Sequence, residues 1–263
     1  MDAFNIEIIA IGNELCCGKV ADTNSFWLAD RVTQLGGTVT RITCTRDSEY
    51  QICTVLRESL SRKPDFLLIT GGLGPTKDDK TIDAVSRVSK SGIVVDEATL
   101  ELVSERRGIP KDELPPHYMR MSRTLSGATT FTNPAGASPS TIIKMGETTL
   151  VVMPGPPKEV QAIFERYICD LIGRESSHRS CSRRVVVDMV ESEVTPLIEE
   201  VEKEFTDVYL KPLVSEFVPG HGLPVEILAF QENEGACSRL IETAIQSLDK
   251  AVKSKGRRMV VAD

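Results

Sequence analysis

The chain has 263 residues, of which 41% are hydrophobic and 26% charged, a composition that is typical of globular proteins and excludes a disordered one. Its 31 Lys and Arg residues against 38 Asp and Glu residues give a net charge of −7, so the chain as a whole repels nucleic acid and anionic membranes. Any anion that it binds must therefore be held by local groups.

The termini and the cysteines favour a cytoplasmic location. The N-terminal residues lack the basic segment and cleavage site of a signal peptide, and no apolar run approaches the ~20 residues that span a bilayer. The seven cysteines include no C-x-x-C pair and no Cys/His group at zinc spacing. We expect free thiols with mainly packing roles.

The first 70 residues alternate between β-rich runs and amphipathic runs. Strands are predicted at 6–11, 38–45 and 66–70, because these runs are almost continuously apolar or rich in β-branched residues. Helices are predicted between them, one capped by Asn24 or Ser25 and one starting at Ser48. This order predicts a doubly wound α/β domain.

The rest of the chain divides at a polar segment, 173–182, which we interpret as a linker. Before it, helices are predicted at 81–88 and 97–107, a hairpin at 140–145 and 148–153, and a helix after Pro157 that closes a first domain of residues 1–172. After it, residues 183–263 follow the order β-α-β-β-α, which is typical of a small KH-like or ferredoxin-like α+β domain.

The most informative motif follows the predicted strand 66–70 and reads Gly71-Gly72-Leu73-Gly74-Pro75-Thr76-Lys77-Asp78-Asp79. A glycine turn between a buried strand and a helix brings backbone N–H groups close to an anion, so it predicts a phosphate cradle. The adjacent carboxylates of Asp78 and Asp79 would repel a phosphate unless a divalent cation neutralised them. The alternative is a simple tight turn whose aspartates favour a helix N-terminus.

Two further acidic segments follow the other predicted strands. Glu14 lies in the turn after the first strand and is a candidate metal ligand or general base, with Asn24 a candidate substrate contact or helix cap. Asp22 is better explained as a helix cap. Asp47 follows the second strand and either points into the same crevice or caps the next helix. The turn after Gly12 is not a Walker A loop, because its glycine spacing is wrong and Val20 replaces the Ser or Thr.

Two rigid turns, Asn133-Pro134-Ala135-Gly136 and Pro154-Gly155-Pro156-Pro157, complete the set of motifs. Together with the first two motifs and in the same order, they resemble the N-terminal domain of the CinA family, which belongs to the wider molybdopterin-binding fold of MoaB and MogA. The resemblance covers residues 4–172. It implies a three-layer α/β/α domain with a mostly parallel sheet, followed by the smaller α+β domain.

The resemblance also implies an activity, the hydrolysis of the pyrophosphate bond of a dinucleotide such as ADP-ribose or FAD, with a divalent cation (Mg²⁺, Mn²⁺ or Co²⁺) as cofactor. On this view Asp79 and Asp47, with Asp78, hold the metal, and Glu14 assists the metal or activates water. The substrate-binding residues would be Gly12, Asn24, Thr70, Gly71, Gly72, Gly74, Pro75, Thr76, Lys77, Asn133 and Gly155. The alternative is a protein that binds or adenylylates molybdopterin in the same cradle.

The C-terminal part departs from bacterial CinA proteins. The 84 residues from Ser180 to Asp263 are too few for the nicotinamide mononucleotide deamidase domain, so we expect a form without that activity. Their net charge is −5 and they lack the G-x-x-G clamp of RNA-binding KH domains. We therefore expect no nucleic-acid or membrane partner, a nucleotide or pterin as the small-molecule ligand, and a homo-oligomer, dimer or trimer, in which this part is a dimerisation or lid element.

Overall fold

The computed structural model describes residues 4–175 and 179–262, which form two compact units: residues 4–33 and 37–175 make the N-terminal unit, and residues 179–262 with the short segment 34–36 make the C-terminal unit. The strands of the N-terminal unit are β1 (Asn5–Ile11), β2 (Thr38–Thr45), β3 (Phe66–Thr70), β4 (Ile93–Val95), β5 (Arg123–Leu125), β6 (Thr129–Phe131), β7 (Ser140–Met145) and β8 (Thr148–Met153). Its helices are α1 (Asn13–Cys16), α2 (Thr23–Gln34), α3 (Glu49–Ser61), α4 (Thr81–Ser89), α5 (Glu97–Arg107), α6 (Pro116–Met121), α7 (Pro157–Ile163) and α8 (Cys169–Glu175). A π-helical turn, Phe164–Ile168, joins α7 to α8.

A six-stranded sheet forms the centre of this unit, in the order β2-β1-β3-β8-β7-β6. The first four strands are parallel, and β7 and β6 continue the sheet antiparallel. Every residue of β3 is buried, and so is every residue of β1 after Asn5, because helices cover both faces of a parallel sheet. The predicted mostly parallel α/β architecture is therefore confirmed.

The C-terminal unit is a second, antiparallel sheet with two helices. Its elements are β9 (Arg179–Val187), α9 (Glu191–Glu204), β10 (Val208–Pro212), β11 (Leu223–Gln231), α10 (Glu234–Ser254) and β12 (Met259–Val261). The sheet order is β10-β11-β9-β12, so the predicted small α+β domain is confirmed and its ferredoxin-like alternative fits best. The last strand, β12, was not predicted, because three residues after a polar turn give no periodic signal.

The segment predicted as a linker, 173–182, is mostly regular structure. Helix α8 continues to Glu175 and strand β9 begins at Arg179, five residues before the predicted strand start at Arg184. Residues 179–184 pair through their backbones with β11, while most of their side chains face solvent, which explains why they read as a polar loop. Residues 176–178 of the predicted linker lie outside the described residues.

The helix starts were predicted in part. Helix α2 begins at Thr23, and its first turn is capped by Asp22, whose Oδ1 accepts a hydrogen bond from the N–H of Ser25 (3.0 Å), which confirms the interpretation of Asp22 as a cap and makes the alternative caps Asn24 and Ser25 wrong. Helix α3 begins directly after Ser48, as predicted, but the Ser48 side chain makes no capping hydrogen bond. In the ranges 4–175 and 179–262, no helix combines the length and the apolar character needed to cross a membrane.

The turn after β3 limits what the fold tolerates. Gly71 has φ +95°, and a Cβ atom there would lie 2.1 Å from the carbonyl oxygen of Ile11 at the end of β1. We expect Gly71→Ala to lower the free energy of unfolding by about 2 kcal/mol or more, because backbone strain and a backbone clash add. Urea unfolding followed by circular dichroism measures this.

Gly127→Ala is the matched control for that variant. Gly127 has φ +78°, but a Cβ atom there would meet nothing within 4 Å, so it tests strain without a clash. We expect a loss of about 1 kcal/mol for this variant. Equal losses for the two alanines would contradict the close approach of the turn to β1.

Candidate functional site

The loops that follow the parallel strands enclose a cleft of about 670 Å³. It lies beyond the ends of β1, β2, β3 and β8, where ligands bind in open α/β sheets. The loops after β1, β3 and β8 contribute most of its walls, and Asp47 contributes from the loop after β2. A volume of this size accommodates a dinucleotide or a pterin.

The glycine turn after β3 is tied to three neighbouring elements. The Gly71 N–H donates to the carbonyl of Met153 at the end of β8 (3.1 Å), and the Thr81 hydroxyl at the start of α4 donates to the carbonyl of Gly71 (2.7 Å). The Cα of Gly71 also faces the end of β1, as described above. The turn is therefore fixed before any ligand arrives.

The backbone of this turn offers unused donors. Within the described parts of the chain, no group accepts a hydrogen bond from the N–H of Gly72, Leu73 or Gly74. These residues line the cleft, and consecutive N–H groups without partners form a concavity that binds anions. The predicted phosphate cradle is thus sterically and electrostatically suitable for a diphosphate.

Asp79 closes the glycine loop on itself. Its Oδ2 accepts hydrogen bonds from the N–H and the hydroxyl of Thr76 (2.7 and 2.9 Å), and its carboxylate lies against the Cα of Gly74. The guanidinium of Arg120, from α6, donates to the carbonyl oxygen of Asp79 (2.6 Å). These contacts hold the Asp79 side chain in place and leave its other carboxylate oxygen, Oδ1, without a hydrogen-bond donor among the described residues.

Asp47, which follows β2, and Glu14, which follows β1, line the same cleft as Asp79. Asp47 Oδ2 accepts a hydrogen bond from the N–H of Asn13 (2.7 Å), which ties the loop after β2 to α1. Glu14, in α1, folds its carboxylate back over Gly12, where a Cβ atom would lie 2.5 Å from Oε1. A side chain at position 12 would therefore displace the Glu14 carboxylate.

The negative charges of Glu14 and Asp79 act on the carboxylate of Asp47. Burial is the main cause that raises the pKa of Asp47 above its ordinary value, and the negative charges of Glu14 and Asp79 raise it further, against the lowering effect of the Asn13 N–H. A positive charge in the cleft would relieve this repulsion, and carboxylate oxygens are the ligands that hard divalent cations prefer.

The donors do not form a closed coordination shell. Within residues 4–175 and 179–262, no group of three or more His, Cys, Asp or Glu side chains is arranged to hold a metal ion.

The cleft lining also includes a carboxylate that the sequence analysis did not select. Glu159 lines the cleft, and its Oε2 accepts a hydrogen bond from Asn133 Nδ2 (2.6 Å). Burial raises the pKa of Glu159, partly offset by that hydrogen bond. Asn133, 1% exposed, also donates to the carbonyl of Ser138 (2.9 Å) and accepts from the N–H of Ala135.

The turn that contains Asn133 is held rigidly. Arg106 donates to the carbonyl oxygens of Asn133, Pro134 and Gly136 at 2.7–3.1 Å. The Ser138 hydroxyl donates to the carbonyl of Leu73 in the glycine loop (2.7 Å). The turn is thus connected to the glycine loop and positions Glu159.

Most of the predicted site residues come together in the cleft. Its lining includes Gly12, Glu14, Asn24, Asp47, Thr70, Gly71, Gly72, Gly74, Pro75, Thr76, Asp78, Asp79 and Gly155. Asn24 donates its amide to the carbonyl of Gly155 (2.8 Å), so it joins two walls of the cleft.

Two predicted residues do not line the cleft. Lys77 is exposed and absent from the lining, and Asn133 is buried behind Glu159. Glu159 had a sequence signal, because it stands in the first turn after the Pro154–Pro157 motif. Arg120 had none, since its contact with the Asp79 carbonyl spans 41 residues.

Comparisons with known proteins identify a family and relatives for this chain. Residues 7–174 match the family described as "Probable molybdopterin binding domain". A protein of Pyrobaculum calidifontis is 37% identical over 259 residues, which cover 94% of this chain and 95% of the relative. A protein of Pyrococcus furiosus is 33% identical over 245 residues, covering 90% and 94%.

A solved structure is similar to this chain in both fold and sequence. The crystal structure of CinA from Thermoplasma acidophilum, a protein of unknown function, matches with a TM-score of 0.60 and 27% identity. The match covers 65% of this chain and 99% of that one. The predicted resemblance to CinA is therefore confirmed.

The raised pKa of Asp47, caused first by burial and further by the charges of Glu14 and Asp79, predicts a pH-dependent loss of stability. Because its folded-state pKa is raised, ionised Asp47 destabilises the fold at neutral pH, and the cost disappears as the pH falls toward the ordinary range of an aspartate. Asp47→Asn keeps an acceptor for the Asn13 N–H and removes the charge. Without divalent cations we expect this variant to unfold at a higher temperature than the wild type at pH 8, with a smaller difference at pH 4.5.

Asp65→Asn is the matched control. Asp65 also accepts a hydrogen bond from a backbone N–H, that of Asn5 (2.8 Å), but it lies outside the cleft lining. This variant should show no such gain. A lower melting temperature for Asp47→Asn than for the wild type at pH 8 would contradict a raised pKa of Asp47 in the folded state.

Proposed function

The chain belongs to the family of probable molybdopterin binding domains and is CinA-like, and from this premise we propose that it hydrolyses the pyrophosphate bond of a dinucleotide such as ADP-ribose or FAD with the help of a divalent cation. The observation that carries the proposal is the position of Asp47, Asp79 and Glu14 beside the unused N–H groups of the glycine loop. Three carboxylates beside an anion-binding site would repel the anion. Their presence therefore favours a site that also binds a cation.

The glycine loop binds the diphosphate. The N–H groups of Gly72, Leu73 and Gly74 are free to donate to phosphate oxygens, and their loop is already fixed by Thr81, Ser138 and the Asp79–Thr76 contacts. Because the donors are fixed in advance, their orientation costs no further conformational entropy on binding.

Asp47 and Asp79, with Asp78, are the residues that would hold the cation. When bound, a divalent cation supplies Lewis-acid stabilisation of charge on the diphosphate and lowers the pKa of water. Asp47 and Asp79 each use Oδ2 for a backbone N–H, which orients the carboxylate. Among residues 4–175 and 179–262 no donor binds the Glu14 carboxylate, and Glu14 would accept the proton of an attacking water.

A second candidate function is supported by the family itself, which is described as molybdopterin-binding. Molybdopterin carries a phosphate, so the same glycine loop suits it, and an adenylyl transfer to it would use the same carboxylates. In either case the ligand is a small nucleotide or pterin. For the assembly we propose a homo-oligomer, to which the C-terminal unit contributes; the mass of the full chain in solution tests this.

Release of AMP from ADP-ribose tests the proposed activity. Metal-stripped protein is incubated with ADP-ribose, FAD or NAD, with and without Mg²⁺, Mn²⁺ or Co²⁺. We expect turnover only when a cation is present, and chelation with EDTA should abolish it. Asp79→Asn keeps an acceptor for Thr76 but removes the charge, and it should reduce the rate by about 100-fold or more.

Lys77→Ala is the control for this loop, because Lys77 lies next to the acidic pair but outside the cleft lining, and we expect it to retain a rate close to that of the wild type. If folded wild-type protein releases no AMP with any of the three cations, the hydrolase proposal is wrong. Tight binding of molybdopterin under those conditions would select the second candidate.

A further inference from the structure

Two thiols are in contact on the elements that carry Glu14 and Asp47. The Sγ atoms of Cys16 and Cys44 lie 3.5 Å apart, and both residues are exposed. Cys16 is the last residue of α1, and Cys44 lies near the end of β2, three residues before Asp47. The remaining exposed cysteine, Cys17, follows Cys16 directly.

The same two segments are already joined by one hydrogen bond, from the Asn13 N–H to Asp47 Oδ2 (2.7 Å). Helix α1 has only four residues, and none of them is buried, so the packing of its side chains holds it weakly. A covalent bond from its last residue to β2 would fix the position of the helix and of the Glu14 that it carries.

We propose that Cys16 and Cys44 form a reversible disulfide that fixes α1 against the end of β2. The oxidant is a small-molecule disulfide of the glutathione class. The Cys16 thiolate attacks one of its sulfurs, which forms a mixed disulfide and releases one small thiol. Cys44 then attacks the Cys16 sulfur, which forms the Cys16–Cys44 bond and releases the second small thiol. The two protein thiols are oxidised, the small disulfide is reduced, and the two thiol protons pass to the leaving thiolates.

The surroundings admit such an oxidant and set the order of the two steps. Both cysteines line an open concavity of about 380 Å³, together with Tyr50 and Gln51. The pKa of the Cys44 thiol is raised to about 12, first by partial loss of solvent and then by its hydrogen bond with Cys16. A raised thiol pKa disfavours Cys44 as the first attacking group, so the proposed sequence begins at Cys16.

The test uses the full chain and reads thiols and melting temperature, so it is independent of the proposed hydrolase activity. Wild type, Cys16→Ser, Cys44→Ser and the control Cys17→Ser are incubated with oxidised glutathione, alkylated and mapped by mass spectrometry without reduction. In the wild type and in Cys17→Ser we expect a peptide that links Cys16 to Cys44. The melting temperature of both should rise by about 5 °C and fall again with dithiothreitol.

The single variants separate the two steps. Cys44→Ser should accumulate one glutathione on Cys16, and Cys16→Ser should form no disulfide at Cys44. A wild type that keeps glutathione on Cys16 without forming the link would overturn the proposal. So would a disulfide through Cys17, or an oxidised wild type with an unchanged melting temperature.

Discussion

The close approach of the Gly71 turn to the end of β1 is the contact on which the site depends. With the Ile11 carbonyl oxygen 2.1 Å from where a Cβ atom would stand, only a glycine allows the loops after β1 and β3 to meet. Their contact puts Glu14, from one loop, and Asp79, from the other, along one cleft. The Gly71 N–H bond to Met153 extends this arrangement to the loop after β8.

Carboxylates that lie close together repel one another, which destabilises the fold. The surrounding contacts offset part of this repulsion. Backbone or hydroxyl donors bind Asp47 and Asp79, an amide binds Glu159, and the guanidinium of Arg120 lies at the carbonyl of Asp79. None of these contacts is an ion pair with the carboxylate itself, so they orient the negative charge in the cleft without neutralising it. A divalent cation held there, as the proposed function requires, would offset that charge.

The sequence predicted those parts of the fold that local patterns determine. The hairpin of β7 and β8 was predicted to the residue because its turn and alternation are local signals, and the continuous apolar runs predicted β1 and β3. The first residues of β9 and all of β12 were missed, since their strands are specified by pairing with distant strands and not by their own side chains.

The site residues divide in the same way: those in local motifs were predicted, and those brought together by the fold were not. Residues inside glycine and proline motifs were predicted to line the cleft, and most of them do. Lys77 was wrongly predicted to line the cleft, because neighbouring residues in a turn point in different directions and sequence spacing alone does not reveal them. Arg120 and the Asn133–Glu159 bond join residues 41 and 26 positions apart, so only the folded chain brings them together.

Anomalous diffraction from crystals grown with Mn²⁺ and a non-hydrolysable methylene analogue of ADP-ribose tests the central claim most directly. We predict a manganese peak about 2.2 Å from carboxylate oxygens of Asp47 and Asp79, with the analogue's phosphate oxygens on the N–H groups of Gly72 to Gly74. A diphosphate bound away from the glycine loop, or manganese bound away from both aspartates, would contradict the account.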